Sequence, residues 1–150
     1  MSVGQVASHR DALETANAII FARPTYVGSA PGQFKLFMDT WSQRAFMHGK
    51  WKDKLATGFS NGASRSGEKL NTLQQVWIFA VQHGMHWIKL GLPPGHNSST
   101  STQDTLNRHG YFIGAAAQSD ADASAQDGTT PADLNTYAHR GARVALAPAC

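Results

Sequence analysis

Cysteine is almost absent from this 150-residue chain. Its one example, Cys150, is the last residue, so no disulfide can form within the chain and no cysteine pair suggests a metal finger. Charge is also sparse: Asp, Glu, Lys and Arg make up 15% of the residues, and the formal net charge is +3. The basic residues are scattered apart from Lys50, Lys52 and Lys54, which read as a solvated turn, whereas a nucleic-acid partner calls for a stronger basic stripe. No apolar run approaches the roughly 20 residues that cross a bilayer. Residues 1–11 lack the apolar segment of a signal peptide. These absences lead us to expect a chain with no integral membrane segment and no nucleic-acid partner, at home in a reducing cytoplasm.

What the sequence does contain is core material: 41% apolar residues, with four tryptophans and seven phenylalanines. The length suits one domain spanning residues 1–150. Residues 18–22, AIIFA, form a short unalternating apolar run, as in a strand covered on both faces. A loop over 24–32 follows, and then Phe34, Phe37, Met38 and Trp41 recur at helical spacing. The order repeats with a strand over 55–59, a loop over 60–67 and a helix carrying Leu70, Leu73, Trp77, Ala80 and Val81. Further short strands are expected at 86–90 and 111–115. A last helix opens at Thr130-Pro131, where threonine caps free amides and proline suits the first turn. Its expected buried stripe is Leu134, Tyr137, Ala138, Gly141 and Ala145. Trp41 and Trp77 read as core.

Strands alternating with helices imply right-handed βαβ units, a parallel sheet and an α/β fold with helices on both faces. Ligands of such folds sit beyond the carboxyl ends of the strands, which here means the loops 24–32 and 60–67. Both are rich in glycine and small polar residues, so backbone amides can approach a flat or anionic ligand. On composition alone, two simple tight connections come ahead of any specific ligand.

The wording of the segments is more specific. Residues 18–39, AIIFARPTYVGSAPGQFKLFMD, closely resemble the flavin-loop signature of the tryptophan-repressor-binding-protein family, which are FMN-dependent NAD(P)H:quinone oxidoreductases. The resemblance continues through KLATGFSN at 54–61, QHGM at 82–85, GLPPG at 91–95 and the closing helix, from about residue 11 onward. It implies a flavodoxin-like three-layer sandwich and FMN as cofactor, with NADH or NADPH as electron donor and a quinone as substrate. It also implies a homo-oligomer. By the same resemblance Pro24, Thr25, Tyr26, Val27, Gly28 and Ser29 line the isoalloxazine. Ser60, Asn61, Gly62, Ala63, Ser64, Arg65, Ser66 and Gly67 form a second loop, whose amides meet the ring's pyrimidine edge. The implied cycle is ping-pong: hydride passes from NAD(P)H to flavin N5, the nicotinamide leaves, and a quinone collects two electrons. The resemblance also implies that Tyr26 faces the ring or quinone, as a second catalytic candidate. His83 matches a family histidine near the quinone pocket, where as a catalytic residue its imidazole would polarise a quinone oxygen or donate to it, although its place in the pattern equally suits closure of a helix C-terminus.

The departure from the family lies at the start, where the usual first strand, Ser/Thr/Gly-rich phosphate loop and second strand find no counterpart. The missing first strand would lie beside residues 18–22, so an open sheet edge and weak FMN binding are expected. The alternative reading is a noncatalytic flavodoxin-like interaction subunit, or a shortened chain that binds FMN weakly or not at all. A serine hydrolase, prompted by Gly62-Ala-Ser-Arg-Ser66, fits poorly because the nucleophile elbow needs glycine where Ser66 stands. His83 and His86 are spaced i, i+3 across a glycine, which makes no fixed metal site, and none is expected.

Overall fold

A computed structural model describes residues 9–124 and 126–147 of the chain. Residues 1–8 of the short start, together with Cys150, lie outside these. The elements run α1 (Arg10–Thr15), β1 (Ala18–Pro24), α2 (Gly32–Met47), β2 (Leu55–Gly62), α3 (Lys69–Gln82), β3 (His86–Trp87), β4 (Ala115–Gln118) and α4 (Pro131–Leu146).

β1 and β2 pair in parallel over their full length, from Ala18 opposite Leu55 to Pro24 opposite Asn61. The other edge of β2 is shared. Its start pairs with β3, Leu55 opposite His86, and its end pairs with β4, Phe59 opposite Ala115, both in parallel. One strand position is thus filled in two pieces, and residues 88–114 loop out between them. The expected strands at 86–90 and 111–115 are corrected accordingly: only His86 and Trp87 join the first ladder, and the second begins at Ala115. The neck of the excursion is closed by the Trp87 indole donating to the Ile113 carbonyl at 2.6 Å and the Leu90 amide donating to Phe112 at 3.0 Å.

Side-chain alternation sorts the layers. Ile19, Phe21 and Ala56 face a core built with Trp41 of α2 and Val76, Phe79 and Ala80 of α3, closed by Trp51. Phe59 points the other way and stacks on Tyr137 of α4 at 4.2 Å between ring centroids. This is the expected three-layer α/β arrangement. Ile20 shares the α4 face but is 42% exposed, because α4 lies over β2 and β4. Among the described residues no strand pairs with the outer edge of β1.

Two helix faces differ from the expectation. α3 buries Thr72, Leu73, Val76, Phe79 and Ala80, while Leu70, Trp77 and Val81 are exposed, so Trp77 is not core. The helix is apolar on two sides, and periodicity alone does not say which side faces the sheet. α4 buries Ala132, Asp133, Thr136, Arg140 and Val144 and leaves Leu134 half exposed. Asp133 can lie inside because the Arg108 guanidinium pairs with it at 2.8 Å and the His109 ring lies in hydrogen-bond contact at 3.1 Å. Lys54 likewise leaves the expected solvated turn: its ammonium donates to the carbonyls of Leu13, Glu14 and Ala16, satisfying the end of α1. No helix among the described residues is long and apolar enough to cross a membrane.

Candidate flavin site

β1 and β2 end side by side, so the loops that leave them meet. The Thr25 amide donates to the Asn61 carbonyl at 2.7 Å, extending the ladder one residue beyond β1. The Thr25 hydroxyl lies 2.7 Å from that of Ser60 and donates to that of Thr72 at 2.8 Å, which joins both loops to the first turns of α3. Asn71 then donates to the Gly28 carbonyl at 2.7 Å and pins the tip of the first loop to the same helix. From the other side, the Tyr137 hydroxyl donates to the Ser60 carbonyl at 2.8 Å and Asn61 donates to Ser119 at 2.7 Å.

The first loop closes as a tight turn, in which Tyr26 and Ser29 exchange amide-to-carbonyl hydrogen bonds at 3.0 and 3.1 Å. Its two central residues, Val27 and Gly28, both have positive φ, 49° and 75°, as a type I′ turn requires. Glycine tolerates this, but a β-branched valine there is a genuine outlier costing about 1–3 kcal/mol. Val27 is fully exposed, so its side chain recovers nothing from packing. The second loop ends on consecutive left-handed residues, Gly67 at 50° and Glu68 at 54°. A side chain on Gly67 would also approach the Ser64 carbonyl to 3.2 Å.

Between the loops lies a pocket of about 350 Å³ lined by Thr25, Tyr26, Val27, Gly28, Gly62, Ala63, Ser64, Gly67 and Glu68. Ligand pockets run from roughly 300 to 1,000 Å³, so this space suits a ring system better than a whole nucleotide. Its walls are mostly backbone and small side chains, the surface a flat aromatic ring can lie against. Arg65 and Ser66 turn away to a neighbouring cleft shared with His96, Arg108, His109 and Tyr111. Ser60 and Asn61 lie beneath the pocket as struts, Ser29 closes the turn, and Pro24 faces a separate cavity of about 450 Å³ along the open edge of β1. Tyr26 is 62% exposed at the pocket mouth.

His83 is not brought to this site. It follows the last turn of α3, at the end of the sheet where β2 begins: Gly84 accepts from the Asp53 amide, and His86 pairs with Leu55. At about 1.5 Å per residue, the 14 residues of α3 separate it from the loops. It is buried against Trp51 and Phe79, with Nδ1 2.7 Å from the Phe79 carbonyl, and burial lowers its pKa against the opposing effect of that bond. The helix-closing reading is the one this geometry fits. Ser64 and Ser66 have no histidine partner among the described residues, since His96 bonds Ser101 and Gln103 and His109 bonds Asp133. No group of three His, Cys, Asp or Glu side chains among the described residues is placed to hold a metal ion.

Sequence reading passed over the charges beneath the loops. Lys69, the first residue of α3, is fully buried and donates to the Ser64 and Arg65 carbonyls, the latter at 2.9 Å. Burial lowers its pKa, partly offset by the charge of Asp133. Arg23 is buried at the end of β1, donates to the Phe21 and Thr72 carbonyls and lies 4.9 Å over the Phe34 ring, and burial lowers its pKa to about 9. Burial alone would raise the Asp133 carboxyl, but hydrogen bonds from Arg108, His109 and the Gln118 amide hold it well below the usual carboxylate range. The one visible signal was a lysine in a helix's first turn, where acids are favoured.

The chain matches known flavoproteins. The profile of a family described as NADPH-dependent FMN reductase matches residues 3–93. Flavodoxin FldP of Pseudomonas aeruginosa is 43% identical over 135 residues, covering 90% of this chain and 72% of that protein. An NAD(P)H dehydrogenase (quinone) of Deinococcus radiodurans is 31% identical over 110 residues, or 71% of this chain and half of that one. The crystal structure of a flavodoxin, WrbA-like protein from Agrobacterium tumefaciens superposes with a TM-score of 0.70 at 38% identity, covering 92% of this chain and 69% of its own. The flavodoxin-like fold and the family resemblance of the chain are both upheld.

Proposed function

The chain belongs to the NADPH-dependent FMN reductase family, and we propose that it is an FMN-dependent oxidoreductase that moves two electrons from NADH or NADPH to a quinone. One observation carries this reading: residues 25–28 and 62–64, with Gly67, which belong to loops leaving different strands, line a single pocket beyond the strands' carboxyl ends. FMN, when bound, supplies the acceptor and donor of hydride. The protein's part is to hold and orient. Gly28 lets the first loop run close to a ring, the amides of 63–67 offer donors to its polar edge, and Thr25, Ser60 and Thr72 fix the two loops relative to each other before anything binds. Tyr26, exposed at the mouth, covers the ring or the incoming quinone. His83 has no role in this scheme. The quinone is supported by the name of the Deinococcus relative.

A second reading is a noncatalytic flavodoxin-like interaction subunit, which would use the outer edge of β1, with which no strand among the described residues pairs. Self-association, expected for either reading, is supported by the apolar stripe of Leu70, Trp77, Ile78 and Val81 left exposed on α3.

Titration of the purified protein with FMN and with riboflavin, followed by NADPH-dependent benzoquinone reduction, tests the proposal. Saturable binding of both, with affinities within about tenfold, and quinone turnover are expected, since the ring carries the contacts. Binding without turnover favours the interaction subunit, and no binding rejects the flavin reading.

A further inference from the structure

We propose that Lys69 is the residue that tunes this flavin site, by holding a reduced ring more tightly than an oxidised one; the inference rests on the flavin reading given above. The observation is a fully buried ammonium directly beneath the pocket floor: a Cβ on Gly62 would stand 3.6 Å from the Lys69 Cε. Its hydrogen bonds go only to neutral carbonyls of the second loop, those of Ser64 and Arg65. No carboxylate among the described residues pairs with it. Asp133, whose charge acts on it, is already engaged by Arg108, His109 and the Gln118 amide.

For folding, this is a poor place for a cation. An unpaired buried charge is costly, and at the amino end of a 14-residue helix the peptide dipoles add positive potential rather than cancel it. A neutral side chain could fill the volume at lower cost. The charge gains a partner when an anion occupies the pocket. Hydride brings two electrons and one proton, so a neutral flavin ring that accepts it from NAD(P)H, leaving NAD(P)+ behind, carries one negative charge. The buried ammonium under the second loop therefore favours the reduced form, and in this dry position the attraction is little screened. Glu68 lines the same pocket with a negative charge, but it is exposed and its effect is weakened by solvent. Arg23, buried at the end of β1, adds a second positive charge behind the first loop. Lys69 acts through space and through the loop it holds, as a positioning residue.

The test is a reductive titration of the protein with FMN bound, read as the midpoint potential and as separate affinities for oxidised and reduced FMN. In the wild-type protein the midpoint should lie above that of free FMN. Lys69→Met should leave the oxidised affinity within about threefold and lower the reduced affinity about tenfold or more, a fall of about 30 mV for a two-electron couple. Lys69→Arg, which keeps the charge, should retain the wild-type ratio. A purely structural clamp would weaken both affinities together in Lys69→Met, and that result overturns the inference. So does a wild-type midpoint at or below that of free FMN, which needs no variant to fold and leaves the flavin reading standing. Failure of the wild-type protein to bind FMN removes both.

Discussion

The hydroxyls of Thr25 and Ser60 lie 2.7 Å apart, and this single contact ties the end of one strand's loop to the other's. Thr25 also donates to Thr72, so its hydroxyl is shared among β1, β2 and α3. Thr25→Val removes both bonds while keeping the shape. It should lower the unfolding free energy by about 1–2 kcal/mol, since Ser60 and Thr72 are buried and lose a partner. FMN affinity should fall in the same variant. Urea denaturation and flavin fluorescence on one sample check the two effects.

Val27 holds a left-handed backbone with an exposed, β-branched side chain. Strain of this kind concentrates at sites of function. Val27→Asn relieves it, because asparagine tolerates that conformation, and the expected gain is about 1 kcal/mol in unfolding free energy. An unchanged or lower stability, measured by urea denaturation, would show that the turn is not under strain.

The two loops were legible in the sequence because glycine, proline and small polar residues punctuate strand ends, and their ordered wording matched a family. Trp77 and Leu70 were misread for a different reason. α3 is apolar on two faces, and 3.6-residue periodicity marks amphipathic sides without saying which meets the sheet. Asp133 and Arg140 were missed as buried positions because charged residues read as solvent-facing. The partners that let Asp133 go inside, Arg108 and His109, come from an excursion 24 or 25 residues away. Lys69 escaped for a similar reason: its burial depends on how loop 60–67 folds back over the helix. The place of His83 at the far end of the sheet follows from the direction of α3, which a motif match does not consider.

Stability should decline on acidification, in two stages. Burial lowers the His83 pKa from 6.5 in the folded chain, so below that value the unfolded chain binds more protons. The contribution is complete above pH 6.5 and is lost as the pH falls from there toward the folded value. Asp133 adds a second loss below its ordinary value of 3.8, because its folded pKa is depressed. His83→Gln should flatten the first stage and leave the second. Urea midpoints measured from pH 7 to well below pH 3.8 distinguish this from a variant that shifts the whole curve. Quinone reduction in His83→Gln should persist wherever the variant is folded.

The most direct test of the two-loop site is a nitrogen-15 NMR titration of the labelled protein with FMN. The amides of residues 24–29 and 60–67, with Glu68 and Asn71, should shift together and saturate at one affinity, while those around His83 stay in place. Shifts centred on the apolar cavity along β1, or none at all, would contradict the assignment of these loops as the flavin site.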